Sequence, residues 1–145
     1  MLLIFCFTVN HRFIEGVGSI KKIAFHATLN HHLTLGQSQT VIFDHVITNN
    51  GNCYNIHSGL FTSPRDGTYY FTTSFLSKSG SAHLQMMRNA EIIGSGTGYP
   101  DTGSTGSISA TVNLKKGDAV KIRHWKGMST QGLLGPYPIF TGFIL

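Results

Sequence analysis

The side chains that could carry acid–base chemistry are scattered along this sequence. It has six acidic residues and eight histidines among 145 residues. General acid–base catalysis needs such groups within hydrogen-bond reach of one another and of a substrate. The acids stand singly, and Asp66 and Asp118 each lie beside a turn glycine. No nucleophile elbow, HExxH, phosphate-binding loop or dinucleotide motif occurs, so we predict that the protein is not an enzyme.

Cations around the only tryptophan offer a different chemistry. Lys121, Arg123 and Trp125 are spaced two residues apart, and Lys126 follows directly. A β-strand places residues of this spacing on one face. An indole ring can stack on the apolar face of a sugar while arginine binds a carboxylate or sulfate. The pattern indicates a site for anionic glycans. The alternative is that Trp125 packs between subunits and the cations are merely solvated.

The histidines show no metal-ligand spacing, and no CxxC or Cys/His zinc pattern occurs. His31 and His32 are adjacent, so on a strand they would point to opposite faces and could not easily share an ion. We expect both in a surface loop. His124 shares a face with Val120 and Ile122, and we expect it to be a hydrogen-bonded core residue.

The first nine residues, MLLIFCFTV, are apolar and uncharged but too short to span a bilayer. They are similar to the apolar core of a signal peptide, and small residues follow at positions 16–18. We expect residues 1–18 to be a signal peptide or leader, residues 19–145 to be the domain, and the protein to be secreted, with no membrane span. No cation precedes the apolar run, so a wrong chain start is the alternative. If Cys6 is removed, Cys53 is expected to be a core or turn residue.

The elements that must position these side chains are strands. Alternation of apolar and polar residues recurs in short runs, and no apolar period of helical type extends over a helix length. In 107–114, Ile108 and Val112 lie on one side and Ser109 and Thr111 on the other. The run 139–145 is apolar on both faces, which is typical of a central strand covered on both sides or packed on another subunit. Many short strands with turn signals between them predict a sandwich or jelly roll.

Several segments in order resemble the globular domain of complement C1q and its relatives. Their order and spacing match across about 120 residues of the chain, in the segments 24–27, 43–49, 54–55, 59–71, 114–120 and 140–145. The resemblance implies an all-β, ten-stranded jelly roll, similar to tumour necrosis factor, that assembles as a trimer. It also suggests a head-only member without a collagen stalk.

The residues that define this resemblance also have physical interpretations. Large aromatic residues would fill the core, and Phe140 and Phe143 would do so from the last strand. Glycines and Pro64 suit turns, and Gly117-Asp118 suits a hairpin turn between the strands on either side. The full set is Phe43, Tyr54, Gly59, Phe61, Pro64, Gly67, Tyr69, Phe71, Gly117, Asp118, Phe140, Gly142 and Phe143.

Relatives in this family bind calcium through loop carboxylates, and the corresponding loop here, 98–104, offers only Asp101. Calcium takes six to eight oxygens, so one chain supplies too few, although three copies around an axis could cooperate. The alternative is a polar turn with no metal. No other cofactor is expected.

The formal net charge of +5 makes polyanions plausible partners. The resemblance implies a secreted homotrimer that recognises glycans or microbial surfaces in innate immunity, in the manner of a lectin. The alternatives are a cytokine-like or synaptic-organiser ligand for a protein receptor, and a structural trimer of the extracellular matrix. Nucleic-acid binding is not expected, because the basic residues form no long stripe and no nucleic-acid module occurs.

Overall fold

The computed structural model describes residues 20–101 and 103–145, and the all-β prediction is confirmed for them, since they contain no helix. The strands are β1 (Ala24–Thr28), β2 (Leu33–Leu35), β3 (His45–Asn50), β4 (Phe61–Thr62), β5 (Gly67–Phe75), β6 (Ser77–Ser79), β7 (Ala82–Arg88), β8 (Glu91–Gly98), β9 (Gly106–Leu114), β10 (Ala119–His124), β11 (Gln131–Leu133) and β12 (Ile139–Ile144). The predicted leader, residues 1–18, lies outside the described part of the chain.

The strands form two facing sheets and a small third one. A five-stranded sheet has the order β3-β1-β12-β5-β9, and a four-stranded sheet has the order β4-β10-β7-β8. Their ladders are antiparallel. The chain passes from β5 to the four-stranded sheet, back at β9, across again at β10 and back at β12. These crossings between two sheets are those of a jelly roll.

Residues 20–101 and 103–145 contain twelve strands rather than the ten that the resemblance implied. The difference comes from very short strands: β2, β6 and β11 have three residues each and make up the third sheet, and β4 has two residues. Such strands are too short to show alternation, because a period of two residues hardly repeats within them. They are defined by their partners in the fold.

The core lies between the two large sheets and is rich in aromatic rings. Six of the predicted core aromatics are at most 3% exposed: Phe43, Tyr54, Phe61, Tyr69, Phe71 and Phe140. Phe25 joins them, and its ring stacks on Tyr54 with the centroids 5.0 Å apart. Full burial of one such side chain contributes about 1.5 to 3 kcal/mol to folding. The prediction that β12 is a central strand is confirmed, since β1 and β5 flank it. Its outer face is not covered within this chain, because Phe143 is 41% exposed, so packing on another subunit stays a prediction.

The prediction that Phe143 fills the sandwich is wrong. Phe140 is fully buried, but Phe143 is 41% exposed and its ring contacts Tyr70 with the centroids 5.5 Å apart. Residues three apart on a strand point to opposite faces, so the two rings cannot both enter one core. Gly142 is the inward position instead. A Cβ there would lie 2.4 Å from Cδ1 of Phe71, so only glycine leaves room for that ring.

The prediction of a hairpin at Gly117-Asp118 is also wrong. The turn exists: the Asp118 amide donates to the carbonyl oxygen of Lys115 at 3.0 Å, and Gly117 has a φ of +93°. However, β9 pairs with β5 and β10 pairs with β4 and β7, so the turn joins two different sheets. Alternation shows that a strand ends, but it does not reveal which strand its successor will pair with.

The remaining turn predictions differ in their physical basis. Gly59 has a φ of +71°, and a Cβ would lie 2.7 Å from the carbonyl oxygen of Val41. Gly67 is the first residue of β5 and is not in the left-handed region; it leaves room for Ile144, whose Cδ1 would lie 2.9 Å from a Cβ. Pro64 is exposed in the bend between β4 and β5, as predicted.

Candidate functional site

The cations near the tryptophan lie on the outer face of the four-stranded sheet. Lys121 and Arg123 are the half-buried residues of β10 that alternate with buried Val120 and Ile122. Trp125 follows the strand and is 42% exposed, and its amide donates to the carbonyl oxygen of His83 at 3.1 Å. This bond continues the register of β10 beside β7. The structure therefore brings Lys121, Arg123 and Trp125 to one face.

Two residues of β7 that the sequence analysis missed complete this surface. Gln85 pairs with Arg123 across the ladder, and its Oε1 accepts from Nε and Nη2 of Arg123 at 3.1 and 3.0 Å. Gln85 is only 2% exposed, so it is a fixed anchor. The edge of the His83 ring approaches Trp125, with the centroids 5.9 Å apart. We call Lys121, Arg123, Trp125 and Lys126, with His83 and Gln85, the Trp125 surface.

The ring of His83 is itself held in place. Its Nε2 lies 2.9 Å from Oγ of Ser81, and its Nδ1 lies 2.9 Å from Oγ1 of Thr97. The ring orientation is therefore set by β7 and β8, and the ring in turn supports one side of Trp125. Leu84 and Met86 of β7 are buried, so the alternation of a strand puts His83 and Gln85 on the opposite, outer face. The sequence does not indicate that the strand carrying His83 and Gln85 pairs with β10.

The Trp125 surface can bind an anionic, partly apolar ligand. Gln85 accepts hydrogen bonds from Nε and Nη2 of Arg123. The other N–H groups of the guanidinium stay available to an oxyanion. Lys121 and Lys126 form no ion pair within the described ranges. Because the indole is partly exposed next to these charges, a sugar ring could stack there while its acidic group binds Arg123.

The histidine predictions agree with the geometry. His124 is fully buried, with Nδ1 2.8 Å from the carbonyl oxygen of Gly36 and Nε2 3.0 Å from Oε1 of Gln131. His31 and His32 lie in an exposed loop. His31 additionally pairs with Asp44 at 2.9 Å, and hydrogen bonds to the His32 carbonyl and to Asp44 raise its pKa above 6.5.

Cys53 lies in the turn-rich segment between β3 and β4 and is half-buried. Its Sγ donates to the carbonyl oxygen of Gly51 at 3.1 Å. Burial raises the pKa of the thiol, and nearby Lys21 lowers it by a smaller amount. A raised pKa keeps the thiol protonated and unreactive at neutral pH, which fits the turn or core role predicted for it.

Asp101 is exposed in the turn between β8 and β9. The amide of Tyr99 donates to the carbonyl oxygen of Ser104 at 3.1 Å and closes this turn. Within residues 20–101 and 103–145, no three histidine, cysteine or acidic side chains come together as metal ligands. One copy of Asp101 supplies too few oxygens for calcium, so calcium binding by several copies stays a prediction.

A second surface of interest is the outer face of the five-stranded sheet. It carries an array of small hydroxyl side chains, in which Oγ1 of Thr72 and Oγ of Ser109 are 2.9 Å apart. Thr141 lies between His26 and Thr72 in the ladders. The aromatic pair Tyr70 and Phe143 interrupts the array and leaves Phe143 partly open to solvent. We call this surface the outer sheet face.

Among the residues that the structure describes, no helix has the length and hydropathy needed to cross a membrane.

Comparison with known proteins gives consistent results. The family model described as "C1q domain" matches residues 24–145. The chain is 35% identical over 131 residues to a human complement C1q subcomponent, and the match covers 86% of the chain and 51% of that protein. It is 31% identical over 130 residues to heavy metal-binding protein HIP of Mytilus edulis, covering 85% of the chain and 60% of that protein. The chain therefore spans about half the length of such relatives.

Solved structures show the same fold. The globular domain of zebrafish complement 1qA protein matches with a TM-score of 0.71 and 24% identity, over 86% of the chain and 98% of that structure. A tumour necrosis factor from S. frugiperda, Eiger, matches with a TM-score of 0.64 and 15% identity, over 87% of the chain and 94% of that structure. At these identities, the structural matches indicate a shared architecture.

Proposed function

Since the chain belongs to the C1q domain family, whose members are recognition or ligand proteins and not enzymes, we propose that it is a secreted, lectin-like recognition protein. Its ligands are anionic glycans of the kind displayed on microbial surfaces. It binds them through the Trp125 surface and acts as a homotrimer in innate immunity.

One observation carries the choice of ligand: a partly exposed indole lies beside an arginine that a buried glutamine holds in place. Orienting a guanidinium in advance reduces the entropy that binding must remove. The indole supplies a surface for the apolar face of a sugar, and Lys121 and Lys126 add positive charge on either side. Anionic sugars match this combination better than neutral ones do.

Trimer formation, the known state of the family, would use the outer sheet face. This face carries mainly small hydroxyl side chains, and it exposes Phe143 beside Tyr70. A face of this composition can be covered by another copy without desolvating an ion pair. Three weak sugar sites on one rigid unit would then gain avidity on a surface with repeated sugars.

The test is binding of the purified protein to an array of anionic and neutral glycans, followed by calorimetry on the best ligand. We expect Trp125→Ala to weaken binding at least tenfold, since it removes the stacking surface (about 1.4 kcal/mol per tenfold). Tyr137→Ala is the matched control, because Tyr137 is an exposed aromatic, 54% accessible, outside this surface. Equal loss in both variants, or no preference for acidic sugars, would overturn the proposal.

A receptor ligand is the competing function, favoured by the architecture shared with Eiger. It would show saturable binding to one protein ectodomain that added sugars do not inhibit. A matrix trimer would bind neither sugars nor a receptor. The glycan array therefore separates the proposed function from both alternatives.

Calcium is a separate proposal with its own measurement. If Asp101 residues of several copies bind the ion together, added calcium raises the melting temperature of the wild type and leaves that of Asp101→Asn unchanged. Asp66→Asn is no control here, because Asp66 accepts a backbone hydrogen bond. Lys78→Gln alters an exposed charge elsewhere and should retain the calcium response.

A further inference from the structure

One end of the sandwich brings together three turns. They are the β4–β5 bend (63–66), the β7–β8 turn (89–90) and the β9–β10 turn (115–118). The amide of Gly117 donates to the carbonyl oxygen of Ser63 at 2.8 Å, and the amide of Ala119 donates to Oδ1 of Asn89 at 2.9 Å. These bonds fix the three turns against one another.

The first and last strands also reach this end. The amide of Ile144 donates to the carbonyl oxygen of Ile23 at 3.2 Å, and the amide of Leu145 donates to that of Thr68 at 2.9 Å. The residues just before β1 therefore lie near the β4–β5 bend. Cations concentrate here, and we call them the basic end: Lys21, Lys22, Arg65, Arg88, Lys115 and Lys116.

Three acidic residues share this end, but they already have partners. Oδ1 of Asp66 accepts from the amide of Lys116 at 2.8 Å. Asp118 accepts from the amide of Lys115 at 2.9 Å and from Nδ2 of Asn89 at 3.1 Å, and these bonds lower its pKa. Glu91 pairs with Arg88.

The consequence is an imbalance of available charge. The carboxylates of Asp66 and Asp118 mainly accept hydrogen bonds that fix the turns, although Arg88 and Lys115 lie near enough to Asp118 to help lower its pKa. Within the described part of the chain, Arg65, Lys115 and Lys116 form no ion pair. Their side chains are thus presented on turns whose backbones are rigidly linked.

The surface between these turns is an open depression of about 430 Å³. It is lined by Arg88, Lys115, Asn89 and Asn113, and also by two carboxylates that already have partners: Glu91 pairs with Arg88, and Asp118 accepts from Lys115 and Asn89. Amides and cations around an open depression fit sulfate groups carried on a sugar chain, since sulfate accepts hydrogen bonds from both. The three turns carry no exposed aromatic ring, which single-stranded nucleic acids use for base stacking.

We propose that the basic end is a second binding surface, for a linear sulfated polysaccharide. It lies at the end of the sandwich, whereas Arg123, Trp125 and Lys126 follow β10 away from that end. In a cyclic assembly whose symmetry axis runs along the strands, the basic ends of all copies face the same side, so one polymer can contact several copies. The inference does not depend on glycan binding by the Trp125 surface.

The experiment compares two variants of equal net charge on the full chain. Lys116→Glu alters the basic end, and Lys78→Glu alters an exposed lysine of β6 that lies outside both the basic end and the Trp125 surface. Heparin is the probe, and its affinity is measured at several salt concentrations. We expect the first variant to lose at least tenfold in affinity and to show a shallower salt dependence, because fewer counterions are released. The second should stay within about twofold of the wild type.

Several results would overturn the proposal. Equal weakening in both variants would mean that only net charge matters, and weakening in Trp125→Ala without weakening in Lys116→Glu would place the polymer on the Trp125 surface. Tighter binding to nucleic acid or to anionic vesicles than to heparin would assign the end to another partner. If the glutamate destabilises the turn, the neutral variant Lys116→Gln, compared with Lys78→Gln, gives the same test.

Discussion

The hydroxyl of Tyr54 binds both backbone groups of Phe43. It accepts from the Phe43 amide at 3.0 Å and donates to the Phe43 carbonyl oxygen at 2.9 Å. Both residues are buried, so one phenol satisfies two polar groups that water cannot reach. This contact joins Tyr54, which follows β3, to Phe43, which precedes it. It also places the Tyr54 ring against Phe25 in the aromatic core.

We expect Tyr54→Phe to keep the ring packing and to leave the Phe43 amide and carbonyl unsatisfied. An unpaired buried polar group costs about 1 to 3 kcal/mol, so the free energy of unfolding should fall by at least that amount. Urea denaturation measures it. Tyr137→Phe is the control, because Tyr137 is exposed and should change stability by less than about 0.5 kcal/mol. Equal stability of the two variants would show that the bridge contributes nothing.

The same phenol predicts a dependence on alkaline pH. Burial raises the pKa of Tyr54 well above its ordinary value of 10, because the charged form would be desolvated. The unfolded chain ionises first, so the stability that Tyr54 contributes is complete below pH 10 and is lost as the pH rises further. We expect the wild type to lose stability above pH 10 more steeply than Tyr54→Phe does. Parallel stability–pH curves would contradict this.

Gly142 makes a prediction about packing in β12. A Cβ at this position would lie 2.4 Å from Cδ1 of Phe71 and 2.8 Å from Cε1 of Phe25. Two buried rings would have to move, so we expect Gly142→Ala to lower the free energy of unfolding by about 1 to 3 kcal/mol. Gly36→Ala is the matched control, since its nearest neighbour, Oε1 of Gln39, is 3.7 Å away. A neutral Gly142→Ala would mean that the rings shift at no cost.

Much of the fold could be predicted from the sequence because alternation on long strands is a local signal. Buried Phe71, exposed Ser109 and central β12 follow from it. What alternation does not encode is the partner of each strand. For that reason the sequence predicts a hairpin at Gly117-Asp118, where the turn in fact joins two sheets. For the same reason it does not indicate that Gln85 of β7 binds Arg123. The aromatic side chain of Phe143 suggests a core position like that of Phe140. Its position in the strand decides otherwise, because a residue three positions away points to the opposite face.

His31 allows a direct test of an exposed ion pair by NMR. Its pKa is raised first by its hydrogen bond to the His32 carbonyl and then by Asp44. We expect Asp44→Asn to lower the pKa of His31 only in part, since the His32 bond remains. Because the folded-state pKa is raised, this pair stabilises the fold below about pH 6.5 and its contribution disappears as the pH rises. Asp101→Asn should leave the His31 titration unchanged, and an equal shift in both variants would refute the pairing.

Phe143 provides the test of self-association through the outer sheet face. Covering Phe143 and Tyr70 with another copy would remove apolar area from water, which drives association at roughly 25 cal/mol per Å². We expect Phe143→Ser to shift the protein from trimer toward monomer in sedimentation velocity while the fold persists, since the side chain is 41% exposed. Ile92→Ser is the matched control: Ile92 is 49% exposed but belongs to β8 of the other sheet. A trimer that survives Phe143→Ser and dissociates in Ile92→Ser would place the interface on the four-stranded sheet and bury the surroundings of the Trp125 surface within it.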